Sequence, residues 1–242
     1  TFTAGRDILT ENANGIVTTK GLSLSATAGN IGAANQRFQS KTVQGSIATA
    51  NSITQTATSA TASGDIWLGH TDGNIAAAGI VSTTGNVNIL SAGGITDGSG
   101  ENVNADIASS DITLSASGGV VGTPTNAIEI NTAVASSLNV IASAGVNVAE
   151  TAQALTIGSI RSTSGDVKIS VADSPALGQD NLIMSHGQKI VADAGSITVE
   201  VGDNFELQAG AELRAGNDVS VLVDPNSTID SASGGIAAFF GT

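Results

Sequence analysis

Residues 110–114, Ser110-Asp111-Ile112-Thr113-Leu114, hold the pattern that decides the fold of this chain. A small residue and a short polar residue precede an apolar-polar-apolar triplet. Because successive side chains of a strand point to opposite faces, the triplet predicts a short strand with one buried face. The pattern occurs eight times in the 242 residues, the first copy being partial, and its first apolar residues are Leu22, Ile66, Val87, Ile112, Leu138, Val167, Ile197 and Val219.

The spacing of these copies predicts how the strands stack. They are separated by 44, 21, 25, 26, 29, 30 and 22 residues, and each period holds two further apolar alternations. The gaps between strands are too short for the helical crossovers of ordinary parallel sheets, which excludes a doubly wound fold. Three short strands bury their apolar faces only by stacking on the next period. We therefore predict an all-β, right-handed parallel β-helix of about ten coils, with residues 1–242 forming one solenoid segment excised from a larger repetitive protein.

The same alternation predicts the columns of the solenoid interior. The first residues of the triplets are expected to form one inward column and the third residues a second, with the middle residues facing solvent. The short polar residue before each triplet, such as Asp111, lies at a corner, where its side chain can bond a neighbouring backbone amide. Loops are expected where the period is interrupted, at residues 35–44, 97–105, 122–127 and 173–189.

The composition excludes several classes of protein. A net charge of −13 argues against a basic nucleic-acid binder. Without Cys, the chain forms neither a disulfide framework nor a thiolate metal site. One Trp, five Phe and no Tyr leave small branched residues to build the core, which disfavours a helical bundle. No apolar run approaches the roughly 18 residues of a membrane-spanning helix.

The repeat resembles those of filamentous-haemagglutinin-type bacterial adhesins, which are exported by two-partner secretion. The resemblance rests on Gly165-Asp166-Val167-Lys168-Ile169 and on Gly93-Gly94-Ile95, and it extends over residues 15–223. It implies a secreted β-helical shaft without a cofactor, located outside the cell or on its surface. Its partners would be the flanking repeats of the parent protein and a surface glycan or protein receptor. The family's secretion domain carries Asn-Pro-Asn motifs, whereas Asn12-Ala13-Asn14 lacks the Pro, which indicates shaft rather than secretion signal.

Two functions follow as hypotheses. The first is a structural shaft or adhesive segment of a large surface adhesin, scaffolding cell-cell or cell-surface contact. The alternative is a polysaccharide-binding or polysaccharide-cleaving β-helix, which would need outward carboxylates lined up across coils. The basic residues are scattered and do not align, so we predict that the chain is not an enzyme. The carboxylate sets considered are Asp72 with His70, Glu200 with Asp203 and Glu206, and Asp173 with Asp180 and His186.

Three kinds of site residue remain as predictions. Asp97, Glu101 and Asp106 cluster hard oxygen ligands that suit calcium, as do Asp173 and Asp180, although neither an EF-hand loop nor a Gly-Gly-x-Gly-x-Asp nonapeptide is present. Trp67, the single Trp, lies at an outward position, where its ring either stacks on a sugar or covers the loop at residues 35–44; we favour the loop. His70 and His186 are expected in solvated loops rather than as metal ligands.

Overall fold

The computed structural model describes residues 1–12, 14–42, 57–100, 104–174, 179–224 and 235–238. This part of the chain consists of short strands and turns, without a helix. The first twelve strands are β1 (Phe2–Ala4), β2 (Ile16–Thr19), β3 (Leu22–Ala26), β4 (Phe38–Thr42), β5 (Thr58–Ala62), β6 (Ile66–His70), β7 (Ile75–Ser82), β8 (Val87–Ser91), β9 (Ile95–Asp97), β10 (Ile107–Ser109), β11 (Ile112–Ala116) and β12 (Val120–Val121).

The remaining strands continue the same alternation to the end of the described region. They are β13 (Ile128–Thr132), β14 (Ser137–Ala142), β15 (Gly145–Glu150), β16 (Leu155–Ser162), β17 (Val167–Val171), β18 (Leu182–Ala192), β19 (Ile197–Val201), β20 (Asn204–Leu207), β21 (Glu212–Ala215), β22 (Val219–Val223) and β23 (Gly235–Ala238).

The strands form two long parallel sheets. The first sheet follows the order β1-β3-β5-β7-β10-β13-β15-β17-β19-β22, with β9 and β12 bridging β7 to β15. The second follows β2-β4-β6-β8-β11-β14-β16-β18-β20-β23, with β21 paired to β18. Each strand pairs with its equivalent in the next turn, so the chain is an all-β solenoid of about nine turns. The predicted fold class is confirmed, and the turn number is close to the expected ten. No described helix has the length and apolar character needed to span a membrane.

The predicted inward columns are correct locally but wrong over the full length. Ile112 pairs with Val87 and with Leu138 in the second sheet, as expected. Val167, however, pairs with Val146 in the first sheet, and Leu138 pairs with Ile157. The predicted column therefore divides between two sheets, with Leu22, Val167, Ile197 and Val219 in the first sheet and Ile66, Val87, Ile112 and Leu138 in the second. The physical reason is that strands of both sheets begin with the same corner pattern.

The core is a stack of small branched side chains between the two sheets. One column in the second sheet runs through Leu68, Ile89, Leu114 and Val140, each at most 1 % exposed. Burying one such side chain stabilises the fold by about 1.5–3 kcal/mol. Since every column member contacts its equivalents above and below, the stability of each turn depends on its neighbours.

A ladder of short polar side chains joins successive turns at one corner. The Oδ1 atom of each member accepts a hydrogen bond from the backbone amide of the equivalent residue one turn later. The five bonds measure 2.7–3.0 Å. This confirms the predicted role of the corner residues, and the ladder comprises Asp7, Asn30, Asp65, Asn86, Asp111 and, as final donor, Ser137.

Candidate functional sites

Two short hairpins of the same design project from the coils. Residues 31–38 read Ile-Gly-Ala-Ala-Asn-Gln-Arg-Phe, and residues 121–128 read Val-Gly-Thr-Pro-Thr-Asn-Ala-Ile. In each, a buried apolar residue is followed by a glycine with positive φ, +67° at Gly32 and +69° at Gly122. A four-residue turn follows, closed by reciprocal backbone hydrogen bonds. We call residues 33–36 the first hairpin and residues 123–126 the second hairpin.

Each hairpin lies directly against the outward residue of the next turn. A Cβ atom at Gly32 would overlap the carbonyl oxygen of Trp67, and one at Gly122 would overlap the carbonyl oxygen of Asn147. Trp67 and Asn147 occupy equivalent places, because each follows the residue that pairs with the strand residue before the hairpin glycine. The two hairpins are thus structurally comparable, although the first lies on the second sheet and the second on the first sheet.

Beside the first hairpin, a basic side chain covers the tryptophan. The guanidinium of Arg37 lies 5.2 Å from the centre of the half-buried Trp67 ring. Arg37 Nη1 also donates to the carbonyl oxygen of Asn88 at 3.1 Å, so the side chain reaches over one further turn. Burial lowers the pKa of Arg37. Trp67 therefore contacts Arg37, which belongs to the predicted loop at residues 35–44, and sugar stacking by Trp67 stays a prediction.

Beside the second hairpin, no arginine corresponds to Arg37. A cavity of about 380 Å³ lies between the hairpin and the outward residues of β15, β17 and β19. Asn147 donates from Nδ2 to the carbonyl oxygen of Thr123 at 2.6 Å. Its Oδ1 atom is buried and has no hydrogen-bond partner among the described residues. Lys168 Nζ, from the next turn, lies 3.2 Å from Oε2 of Glu200. The cavity is lined by Val120, Gly122, Thr123, Pro124, Ala144, Gly145, Val146, Asn147, Gly165, Asp166, Val167, Lys168, Ser196 and Thr198.

Two of the three predicted calcium ligands lie together in the structure, beside a third carboxylate that the sequence analysis did not name. Asp97 at the end of β9 and Asp106 before β10 are brought together with Glu129 of β13. One carboxylate oxygen from each lies within 4.8 Å of the other two. Glu101 lies outside the described residues. Glu129 was missed because its neighbours Ile128 and Ile130 make it an outward strand residue. Asp97 and Asp106 of the preceding turn lie beside it, which strand periodicity does not reveal.

Two carboxyl groups of the acidic cluster have pKa values that are shifted in opposite directions. Asp106 is 1 % exposed, and Ser99 Oγ donates to it at 2.7 Å. Its pKa is raised to about 8, first by burial and further by Glu129 and Asp97, while the Ser99 hydroxyl opposes the shift. At Asp97 burial raises the pKa, but hydrogen bonds from Ser99 and Gly100 outweigh this effect and hold the pKa below its usual value. Repulsion between these carboxylates can be relieved by a shared proton or by a hard cation such as calcium.

At the second predicted calcium pair, Asp173 and Asp180, the carboxylate of Asp180 accepts a hydrogen bond from the backbone. Asp180 is 1 % exposed, and its Oδ2 atom accepts a hydrogen bond from the Ser174 amide at 2.6 Å. The Asp180 amide donates to Asp203 Oδ2 at 2.8 Å. Within the described ranges, only Asp97, Asp106 and Glu129 bring three potential ligand atoms close enough for a metal ion.

The two histidines are not where the sequence predicted them. His70 is the last residue of β6, is buried, and has Nδ1 3.0 Å from Ser40 Oγ. Burial lowers its pKa, against a smaller opposing effect of Asp72. His186 is exposed but lies within β18 instead of a loop. The loop prediction for His70 was wrong because Gly69 carries no apolar signal, which concealed that the strand continues beyond Leu68.

One buried acid inside the solenoid was missed. Glu150 ends β15 and lies in the inward register between Ile130 and Val171. Its Oε2 atom accepts hydrogen bonds from the amide and the hydroxyl of Thr132, both at 3.0 Å. Burial raises its pKa to about 7, although the Thr132 donors oppose the shift. The period-2 pattern from Val146 places Glu150 inward, so alternation alone could have found it.

Comparison of the chain with protein-family models, with curated proteins and with solved structures gave no match.

Proposed function

We propose that this chain is a segment of the shaft of a large secreted or cell-surface bacterial adhesin, where it scaffolds cell-cell or cell-surface contact. The observation that carries the proposal is the pair of parallel sheets that pass through turn after turn of the described chain. About nine turns at roughly 4.8 Å each make a rod roughly 40 Å long. A solenoid extends by adding turns, since each turn needs only its neighbours for burial. The resemblance of the repeats to haemagglutinin-type adhesins supports the same role.

The outward residues favour a scaffold over an enzyme. Trp67, Asn88, Thr113 and Asn139 occupy equivalent outward places in four successive turns of the second sheet. None of the four carries a carboxylate, whereas a polysaccharide-cleaving groove needs aligned carboxylates. The three carboxylates that do lie together include buried Asp106 and Glu129, which a polymer on the outer surface does not reach. These features support a shaft whose outer positions carry no shared chemistry.

A coil deletion tests the shaft. Removal of residues 87–111 joins Asn86 to Ile112 and takes out one turn, so β11 can pair with β6 in the register that β8 now holds. We expect retained β circular dichroism and a particle shorter by about 5 Å in small-angle scattering. Removal of residues 87–98, about half a turn, is the control and should unfold the neighbouring turns. Equal tolerance of both deletions would contradict the shaft.

The location on the cell surface has its own test. Antibodies raised against the chain should label intact cells of the organism that encodes it, and beads coated with the chain should attach to cells or surfaces that uncoated beads leave free. Labelling that appears only after cell lysis would contradict the surface location. Surface labelling without attachment would limit the role to a passive spacer.

A further inference from the structure

We infer that the cavity beside the second hairpin is a binding site for an uncharged oligosaccharide. The inference deepens the proposed adhesin function, because it gives the shaft a lateral ligand site of stated chemistry. The cavity measures about 380 Å³, within the range of small-ligand sites. Its floor extends over three turns, through Asn147, Lys168 and Thr198. A ligand that fits it is therefore extended along the solenoid axis, as a short sugar chain is.

An unused polar group marks the cavity as a site. Asn147 is 8 % exposed, and its Nδ2 atom donates a hydrogen bond to the Thr123 carbonyl oxygen of the second hairpin. Its Oδ1 atom is left without a donor in the part of the chain that the structure describes. Buried polar atoms are normally hydrogen-bonded, so this acceptor calls for a donor from outside the chain. Asn147 lines the cavity, so a small shift of its side chain brings Oδ1 within reach of a ligand hydroxyl or amide N–H.

The rest of the lining selects the class of ligand. Lys168 is paired with Glu200 at 3.2 Å, so its charge is already balanced. Asp166 lines the same cavity, and the whole chain carries a charge of −13, which disfavours an anionic ligand. Val120 and Pro124 add apolar surface for the C–H faces of a ring, while the lining contains no aromatic side chain for stacking a nucleobase. Mixed donors and acceptors with apolar patches suit an uncharged sugar.

The first hairpin shows what happens when this space is filled. There Arg37 extends across Trp67 and bonds the carbonyl oxygen of Asn88 one turn further on. Asn147 and Lys168 are the equivalents of Trp67 and Asn88 in the other sheet. The residue that corresponds to Arg37 is Ala127, whose side chain is too short to cross the gap. At this place, therefore, the second hairpin has no long side chain that extends over Asn147 as Arg37 extends over Trp67.

The test is an NMR titration of the ¹⁵N-labelled chain with uncharged hexasaccharides: cellohexaose, maltohexaose, mannohexaose and chitohexaose. At least one is expected to shift the amide signals of Asn147, Lys168 and Thr198. Hexagalacturonate and an extended uncharged peptide serve as competitors for the assignment of ligand class. Absence of shifts with all four hexasaccharides, or larger shifts with either competitor at equal concentration, would overturn the inference.

Filled-cavity variants locate the binding. Ala127→Arg rebuilds the side chain that covers the first hairpin's space, and Thr198→Arg fills the cavity from the opposite end. Both should lose the shifts. Thr113→Arg makes the same change at the equivalent middle position of a triplet in the other sheet, and it should keep them. Shifts that persist in both filled variants would overturn the site. Coil deletion and surface labelling test the shaft separately, so the two proposals can fail independently.

Discussion

The two hairpins are built on one backbone design but differ in the space beside them. Both need a glycine with positive φ and lie against the next turn. In the first, Arg37 extends over the Trp67 ring; in the second, the corresponding residue is Ala127, and a cavity lies beside the hairpin. The backbone of a solenoid thus repeats independently of its surface chemistry. The residue just after the turn, Arg37 or Ala127, is one of the differences between the covered face and the face that carries the cavity.

The strands that return from the hairpins also differ. Phe38 and Ile128 begin them, and the next residues are Gln39 and Glu129. Gln39 is uncharged, whereas Glu129 is buried beside Asp97 and Asp106. Only the strand after the second hairpin therefore brings a carboxylate into the acidic cluster. We expect the pH dependence of stability that comes from this cluster to be a property of the second hairpin's surroundings and not of the first's.

The largest expected effect tests whether the hairpins share their glycine requirement. Gly32→Ala and Gly122→Ala each force an L residue to positive φ and drive a Cβ into a backbone carbonyl. We expect each change to lower the free energy of unfolding by about 3 kcal/mol or more. Urea denaturation followed by circular dichroism measures the loss.

The matched control for the glycine changes is Gly73→Ala. Gly73 has φ of +76°, but a Cβ there meets nothing within 4 Å. The substitution should cost only about 1–2 kcal/mol, the backbone penalty alone. If Gly122→Ala cost no more than Gly73→Ala while Gly32→Ala cost the full amount, the two hairpins would not be equivalent.

The second effect concerns the acidic cluster. Asp106 has a pKa of about 8 in the folded chain, above its usual value, so the folded state binds more protons than the unfolded state between these values. Stability should therefore fall as pH rises from about 4 to about 8. Asp106→Asn removes that cost, and we expect it to stabilise the chain by about 1–3 kcal/mol at about pH 9. Thermal unfolding across this pH range measures the change.

Two comparisons sharpen the pH prediction. Glu150 has a pKa raised to about 7, so its contribution to stability also falls as pH rises. In Asp106→Asn the remaining decrease of stability with pH should therefore end near pH 7. Adding calcium at about pH 9 should raise the melting temperature of the unaltered chain but not of Asp106→Asn, if a cation takes the place of the proton. An increase of equal size in both would place calcium elsewhere.

The third prediction concerns the Arg37 side chain that covers Trp67 beside the first hairpin. Arg37→Ala removes the guanidinium over the Trp67 ring and its hydrogen bond to Asn88, and it should cost about 1 kcal/mol. Trp67 is the single Trp, so its fluorescence should shift to longer wavelength and become more accessible to acrylamide. Arg161→Ala, which removes only an exposed ion pair with Asp193, should leave the fluorescence unchanged. Unchanged quenching in Arg37→Ala would show that something else covers the ring.

The smallest effect concerns the second hairpin's cavity. Lys168→Met breaks the half-exposed ion pair with Glu200 and should change stability by about 0.5 kcal/mol or less. Urea denaturation again provides the measurement, and Lys189→Met, which removes the exposed pair with Glu212, is the matched control. A loss much larger than the control's would mean that Lys168 supports the fold as well as lining the cavity.

The candidate sites were only partly predictable from sequence. Asp97 and Asp106 are close along the chain and lie in an interrupted period, which is why they could be named. Glu129 joins them from the following turn, and its place depends on the register between β10 and β13. The cavity at Asn147 was not predicted, because the hairpin beside it depends on the positive φ of Gly122 and on the close approach of Gly122 to the next turn. Neither property is visible in residue order.

By itself, the amino-acid sequence determined the short strands of the triplets, the parallel stacking and the corner residues. The physical reason is that period-2 alternation and short polar turn residues act within one turn or between adjacent turns. Only the tertiary structure decided which of two sheets each triplet joins, as the separation of Leu138 from Val167 shows. It also decided which side chains meet across turns, including Arg37 over Trp67 and Glu129 beside Asp106. Those contacts depend on the number of residues in each turn, and insertions change that number without disturbing the alternation.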